Sequence, residues 1–487
     1  MSRTRRLLAL TTACALIGAA CGNDSTADDS AGSSAPDTPS TEPSTQDDVD
    51  VTEDDPDVEE TAGDETTETG DESTETSFDP ARFEVDLTVC EDPERAAQLI
   101  DGPVTIGSSV PLSGGPAVLF APFADGMRAY VDYYNAEFGG VNGHDIELII
   151  KDDQYAADLT SANVEQLIYD EDVDILAGVL GSPNNLAIRD LANDMCVPQL
   201  WAATGDSDWG YIDEYPWTTG LLAAYEIESA IWADFVASEL GEGSSLALFY
   251  VNNEFGQAYA ASMTAMADDL GIDIVATEVI DPVSSGAPSS QMTNLVAADP
   301  DAILAVPLGA QCIAFMTELE NAKAANSGFD PLVYMTATCA DEIVFGAVQN
   351  GGAEGVYTSA NIKDVTNPDV AANDDAVAAY LDAFAASGSN AAPGGLASMG
   401  WTAAELAVWS IEEAAAEGNL SREGIMNAAR NIDYQAALLR DGLTFTMDAN
   451  DGYIGEGAQI IQWQNGGFVD VGEVVDLEGT LGVGTPA

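Results

Sequence analysis

Two hydrophobic spacings alternate along residues 104–339. Short apolar runs, each closed by small or polar residues, are VTIGSSVP (104–111), DIELIIKDD (145–153), VDILAGVL (173–180) and VPQLWAA (197–203). Between them apolar residues recur every three or four positions, which predicts helices over about 117–137 and 158–170. An unbroken apolar run bounded by turn residues suits a strand covered on both faces of a parallel sheet. Strand and helix in alternation predict a doubly wound α/β sheet. After YPWTTG (215–220) the pattern restarts with a helix over 221–240. Four further runs follow: SLALFYVN (245–252), DIVATEVI (273–280), AILAVPLG (302–309) and PLVYMTATC (331–339). GVYTSANI (355–362) comes next, helices dominate about 369–432, and LTFTMDAN (443–450) with IIQWQ (460–464) read as a closing strand pair. The fold class expected is α/β, two doubly wound parallel-sheet lobes joined by crossing strands. The first lobe takes 81–222 and 355–442, the second takes 223–354, and 443–487 packs with the second lobe and ends in a tail.

Gly178–Gly205 organises the first lobe. The run VDILAGVL leads into Gly181-Ser182-Pro183, where Ser reads as an N-cap and Pro as the first helical residue. The next strand ends in Ala202-Ala203-Thr204. Two neighbouring strands therefore end in small hydroxyl residues, and one of them starts a helix whose free N–H groups face the same crevice. Ligands of open α/β sheets bind beyond the carboxyl ends of the strands. An ordinary capped βαβ unit explains the same residues. Two α/β lobes in one chain add a cleft, a favoured place for a small-molecule site.

Charge changes the picture at the N-terminus. Residues 1–20 carry three arginines and then an uncharged, mostly apolar run, the pattern of a signal peptide too short to span a membrane. The run ends GAAC at 18–21, which resembles the lipobox of bacterial lipoproteins and implies lipidation of Cys21, although Gly18 stands where that pattern has Leu. Residues 22–80 hold no Lys, Arg or His and are rich in Asp, Glu, Ser, Thr and Pro. Such a segment cannot bury enough apolar surface to fold, so 21–80 reads as an extended acidic stalk. Of 84 acidic and 13 basic residues in the chain, 21 and three fall before residue 81; the remaining 63 against 10 leave a formal charge of about −53. That excludes nucleic acid as a partner and suits a saline exterior, where screening weakens self-repulsion. Past Cys21, four cysteines remain. They allow three pairings in an oxidising compartment, of which Cys90–Cys196 and Cys312–Cys339 are favoured, the second because those two residues follow consecutive predicted strands. The absence of CxxC spacing and of an accompanying His argues against a metal site.

Several segments resemble type I periplasmic binding proteins, specifically the leucine/isoleucine/valine-binding branch that feeds ABC transporters. They are IGSSVPLSGGPA (106–117), NAEFGGVNGHDIELIIKDDQ (135–154), DVDILAGVLGSPNNLA (172–187), VPQLWAATG (197–205), NNEFG (252–256) and the closing LTFTMDANDG with IIQWQNGGF. The resemblance implies two lobes closing on a ligand, with chain crossings near 220, near 355 and near the end. It implies a ligand site at Gly181, Ser182, Ala202, Ala203 and Thr204, where Ser182 receives a carboxylate and Ala202 and Thr204 bind carboxylate and ammonium through backbone and hydroxyl, and a closing aromatic at Phe255. Ser113 is added from the loop after the first strand, and Leu119 and Phe120 lie where the family places a first-lobe side-chain contact, which suggests an apolar wall, a core role explaining them equally. The family's acidic partner for an ammonium falls at Cys312, which carries no charge in a disulfide; Asp341 and Glu342, just past the next strand, are the candidate replacements, and without them the ligand need not be an α-amino acid. The implied partners are a small amino acid, amide or carboxylate and an ABC permease, with the membrane reached through the lipid anchor, and no cofactor is called for.

A sensor of the same fold, acting with a separate output protein, remains an alternative. A secreted enzyme is the other. The chain has no GxSxG elbow, HExxH, P-loop or GxGxxG. Its one histidine, His144, lies in a turn, and the paired acids Asp152 and Asp153 at a strand end are ordinary solvated or capping groups.

Overall fold

A computed structural model describes residues 82–480 apart from 242, 283 and 349–350. The expected signal peptide, stalk and Cys21 lie outside the described residues.

The first lobe is built from α1 (Pro93–Ala96), β1 (Val104–Val110), α2 (Ala117–Phe138), β2 (Ile146–Asp152), α3 (Ala157–Tyr169), β3 (Ile175–Ala177), α4 (Ser182–Asp194), β4 (Gln199–Ala202) and β5 (Thr218–Gly220). Its five strands run in the order β2-β1-β3-β4-β5, all parallel, with Val104 opposite Ile146 and Ile106 opposite Ile175. The second lobe follows with α5 (Tyr225–Leu240), β6 (Ser245–Val251), α6 (Glu254–Leu270), β7 (Asp273–Ile280), α7 (Ser289–Ala298), β8 (Ala302–Val306), α8 (Ala310–Ala325), β9 (Leu332–Met335), α9 (Glu342–Gly346) and β10 (Tyr357–Ala360). The chain then supplies α10 (Pro368–Asn373), α11 (Asp375–Ala386), α12 (Leu396–Ala416) and α13 (Arg422–Arg430), a small pair β11 (Asp433–Tyr434) and β12 (Phe445–Thr446), and finally β13 (Gly457–Gln464), β14 (Gly467–Asp470) and β15 (Val475–Asp476). The second sheet runs β14-β13-β10-β9-β8-β6-β7, with β15 also on β13. The molecule thus has the two α/β lobes expected.

Burial follows position in each sheet. Central β8 is covered on both faces, whereas edge strand β7 alternates exposed and partly buried along DIVATEVI. Strand β10 pairs with β9 and β13, so it belongs to the second sheet. The expected pairing of 443–450 with 460–464 is not made. Phe445–Thr446 pairs with Asp433–Tyr434, and Gly457–Gln464 is eight residues long and buried at most positions, long enough to take β10, β14 and β15 as partners.

Helices α2 and α12 pack backbone to backbone. A Cβ added at Gly126 would lie 1.9 Å from Ala397 O, and one at Gly400 would lie 1.9 Å from Phe123 O. Two glycines allow this approach, and it sets Phe123 of α2 and Met399 of α12 on one wall of the cleft. Both expected disulfides are present, with Cα atoms 5.5 Å apart for Cys90–Cys196 and 6.0 Å for Cys312–Cys339.

Candidate functional site

The site starts at a glycine. Gly181 has φ +107°, a conformation that side-chain-bearing residues rarely adopt. It, not Ser182, is the residue preceding α4, and Ser182 is the first helical residue with no capping bond from its side chain. The predicted N-cap role is corrected by this turn, which aims the Ser182 hydroxyl across to the next strand. Ser182 Oγ lies 2.7 Å from Thr204 Oγ1, and each lies 3.3 Å from the Tyr225 hydroxyl. All three residues are buried.

Strand β4 delivers Thr204 through an irregularity. The register with β5 shifts between Gln199 and Ala202, Trp201 sits at φ +53°, and its N–H donates to Thr219 Oγ1 at 2.9 Å. Gly205 then passes so close to the second lobe that a Cβ would lie 2.3 Å from Ala223 O. Tyr225 donates its N–H to Gly205 O at 2.6 Å. The first residue of α5 is therefore tied to the hydroxyls of the first lobe. Burial pushes the Tyr225 phenol up to about 12, so it stays a neutral donor and acceptor.

Ser182 and Tyr225 line a cleft between the lobes; Thr204 is bonded to both but does not line it. Its wall is mostly apolar, with Phe120, Phe123, Leu180, Ile231, Phe255, Tyr259, Leu308, Leu396 and Met399 among the lining side chains. Tyr225 stacks on Tyr259 at 4.5 Å between centroids, and Phe255 meets both rings edge-on. Among the described residues the lining includes one carboxyl, Glu228, and no Lys, Arg or His. A few placed polar groups in an apolar concavity is the usual make-up of a small-molecule pocket.

Glu228 lies one turn beyond Tyr225 on α5 and is 6% exposed. Its Oε1 accepts from the Tyr334 hydroxyl at 2.6 Å, Ala337 N–H at 2.8 Å and Ser359 Oγ at 3.3 Å; its Oε2 accepts from the Tyr259 hydroxyl. Burial raises its pKa, and the hydrogen bonds from Tyr259, Tyr334, Ala337 and Ser359 oppose that rise.

The remaining candidates fall in different places. Gly181, Ala203 and Phe255 line the cleft with Ser182. Ala202 and Leu119 are buried beside it without lining it. Ser113 is exposed and donates from its N–H and hydroxyl to Asp152. Asp341 lines a second chamber that shares Ala337, Ser359 and Asn361 with the first. There its carboxylate accepts from Ile343 and Val344 N–H and caps α9. Lys363 and Arg440 line that same chamber and are paired with Asp374 and Asp470 at 2.8 and 2.9 Å. Tyr225, Glu228 and Tyr259 were not among the sequence candidates. Their signal is present: Tyr225, Glu228 and Ile231 recur every three residues, placing an acid within the apolar stripe of a helix.

Two α/β lobes with a polar cluster at their junction define a bilobal binding-protein fold. The periplasmic binding protein family model matches residues 103–467, and the chain belongs to that family. Solved structures with the same fold include a fatty acid ABC transporter substrate-binding protein from Thermomonospora curvata, 18% identical with TM-score 0.66, covering 78% of this chain and 95% of its own. Another, a possible leucine/isoleucine/valine-binding protein from Rhodopirellula baltica, is 17% identical with TM-score 0.64 over 78% and 97%. A third, an ABC transporter solute-binding protein from R. palustris in complex with 4-hydroxybenzoate, is 16% identical with TM-score 0.64 over 77% and 97%. No curated protein matches this chain in sequence. Among the described residues no helix is long and apolar enough to cross a membrane.

Proposed function

We propose that the protein is an extracytoplasmic solute-binding lipoprotein. It traps a small amino acid, amide or carboxylate between its lobes and delivers it to an ABC permease. The observation that carries this reading is the buried Ser182–Thr204–Tyr225 hydroxyl cluster, of which Ser182 and Tyr225 line an apolar interlobe cleft. Ser182 and Thr204 belong to the first lobe and Tyr225 to the second, so a ligand that bonds all three holds the lobes together. Closure is then a population shift driven by contacts available only when both lobes meet. The sequence features of residues 1–80, a leader, a lipidatable Cys21 and an acidic stalk, suit a domain tethered outside the membrane.

The test is a thermal-shift panel of amino acids, amides and carboxylates in saline buffer. At least one class should raise the melting midpoint in a concentration-dependent way, because a ligand that binds only the folded state stabilises it. No shift with any class refutes the reading.

A further inference from the structure

We propose that Tyr155 is a ligand-binding residue: its phenol hydroxyl donates a hydrogen bond to an oxygen of the solute lodged beside Gly181 and Ser182. This rests on the solute-binding reading and adds to it a residue and the chemistry it selects, a solute that presents an acceptor oxygen, charged or neutral.

Tyr155 stands in a conformation that tyrosine rarely takes. Its φ is +63°, and Gln154 before it is at +54°. Left-handed backbone at a bulky residue is unfavourable and persists only where the surroundings fix it. Two carboxylates fix it here. Asp152 Oδ1 accepts from Gln154 N–H at 3.1 Å, and Asp153 Oδ1 accepts from Tyr155 N–H at 2.9 Å. Asp153 is fully buried rather than solvated, and its Oδ2 accepts from Ser109 Oγ at 2.8 Å and Thr160 Oγ1 at 3.1 Å. The paired acids at the end of β2 therefore hold one aromatic ring in place.

That ring forms part of the cleft wall. It lies nearly parallel to Phe120, with centroids 5.5 Å apart and planes at 14°. Its hydroxyl-bearing edge covers Gly181: a Cβ there would lie 2.8 Å from Tyr155 Cε2 and 3.0 Å from Cζ. The phenol therefore reaches the end of the cleft where Ser182 stands. The other hydroxyls at that end are engaged with one another. Ser182, Thr204 and Tyr225 make three mutual bonds, and three hydroxyls have three protons to give. Tyr155 differs. Among the described residues its hydroxyl makes no hydrogen bond, and the residue is only partly buried. Desolvation raises the phenol's pKa, so it keeps the proton it would donate. Packing on Phe120 needs a ring and no hydroxyl, and a desolvated hydroxyl without a partner is unfavourable. A solute oxygen entering the cleft supplies that partner. Among the described residues no cation lines the cleft, so this neutral donor serves an amide or ketone oxygen as well as a carboxylate.

The experiment compares the mature chain with Tyr155→Phe and Tyr225→Phe in saline buffer, each refolded to remove co-purified solute. The first reading is the melting midpoint without added solute. Tyr155→Phe should leave it unchanged or higher, since the lost hydroxyl bonds nothing in the protein. Tyr225→Phe, which breaks two bonds, should lower it. The second reading is calorimetric titration with 3-phenylpropionate, 3-phenylpropionamide, 4-methylpentanoate, 4-methylpentanamide, phenylalanine and leucine. The parent should bind at least one of these probes, and Tyr155→Phe should bind the same probe about five-fold or more weaker, the scale of one hydrogen bond. A ring that serves packing alone moves neither reading, and a hydroxyl that braces the fold lowers the midpoint. A smaller loss of affinity overturns the inference, and so does a lower midpoint for Tyr155→Phe or absence of binding by every probe. Where a probe still binds the parent, the solute-binding reading stands without Tyr155; where none binds and no class shifts the parent's midpoint in the thermal panel, both fall.

Discussion

Gly400→Ala should destabilise the protein although alanine is the better helix former. Two effects compete. In a solvent-exposed helix interior the change gains about 1 kcal/mol. At this position the new Cβ would lie 1.9 Å from Phe123 O, 2.7 Å from its carbonyl carbon and 2.9 Å from its Cα. Contacts below 3.0 Å do not persist, so α2 and α12 must part by at least the difference from 1.9 to 3.0 Å. The obstructing atoms are backbone, and no rotamer change relieves them. Overpacking of a core typically costs about 1–3 kcal/mol, and a rigid backbone contact belongs at the upper end. The expected net loss is about 1–2 kcal/mol, read as a lower urea midpoint with unchanged slope. The opposite helix, altered as Gly126→Ala, should behave alike, its Cβ meeting Ala397 O. Gly346→Ala on α9 is the control: it is exposed, a Cβ there meets nothing within 4 Å, and stability should be unchanged or higher. A Gly400→Ala protein as stable as the parent refutes the close-packed helix pair. Because Phe123 and Met399 both line the cleft, the same change should also weaken any ligand that stabilises the parent.

Other consequences follow from the same structure. The two disulfides close segments with sequence separations of 106 and 27, so by loop entropy Cys90–Cys196 contributes about 4.8 kcal/mol and Cys312–Cys339 about 3.5; urea unfolding of the two paired Cys→Ser variants should rank them in that order. Glu405 is buried, accepts from the Tyr434 hydroxyl and Ala437 N–H, and has its carboxyl pushed up to about 7 by desolvation. The folded state holds that proton at pH values where the unfolded chain has released it, so the stability gained is full below about 4.5 and lost as pH rises toward 7. Glu405→Gln should therefore flatten the fall in stability between pH 5 and 8, by on the order of 3 kcal/mol relative to the parent. Raising salt from about 0.05 M to about 1 M should raise the unfolding midpoint, since screening relieves the self-repulsion of a strongly acidic chain.

What the sequence reveals and conceals here divides along physical lines. Strands such as AILAVPLG are apolar runs because both faces of a central strand are covered, and the alternation in DIVATEVI marks an edge. Those patterns depend on local burial and are readable. The direction of the Ser182 hydroxyl depends on the φ of Gly181, and a glycine in sequence does not disclose which of its conformations is used. Glu228 was concealed for another reason. In a chain with 84 acidic residues one more glutamate is inconspicuous, and only the convergence of Tyr259, Tyr334, Ala337 and Ser359 from distant segments distinguishes it. The pairing of β13 with β10 was likewise beyond local pattern, since it joins segments about a hundred residues apart.

The central claim is that the hydroxyls of Ser182 and Thr204 hold a small solute in the cleft. Its most direct test is native mass spectrometry of protein purified without refolding, comparing the parent with the Ser182→Ala/Thr204→Ala double variant. Two buried hydrogen bonds to a charged group are worth about 3–6 kcal/mol. The parent should carry a stoichiometric small-molecule adduct, and the folded double variant should have lost it. An adduct retained equally by both proteins contradicts the account.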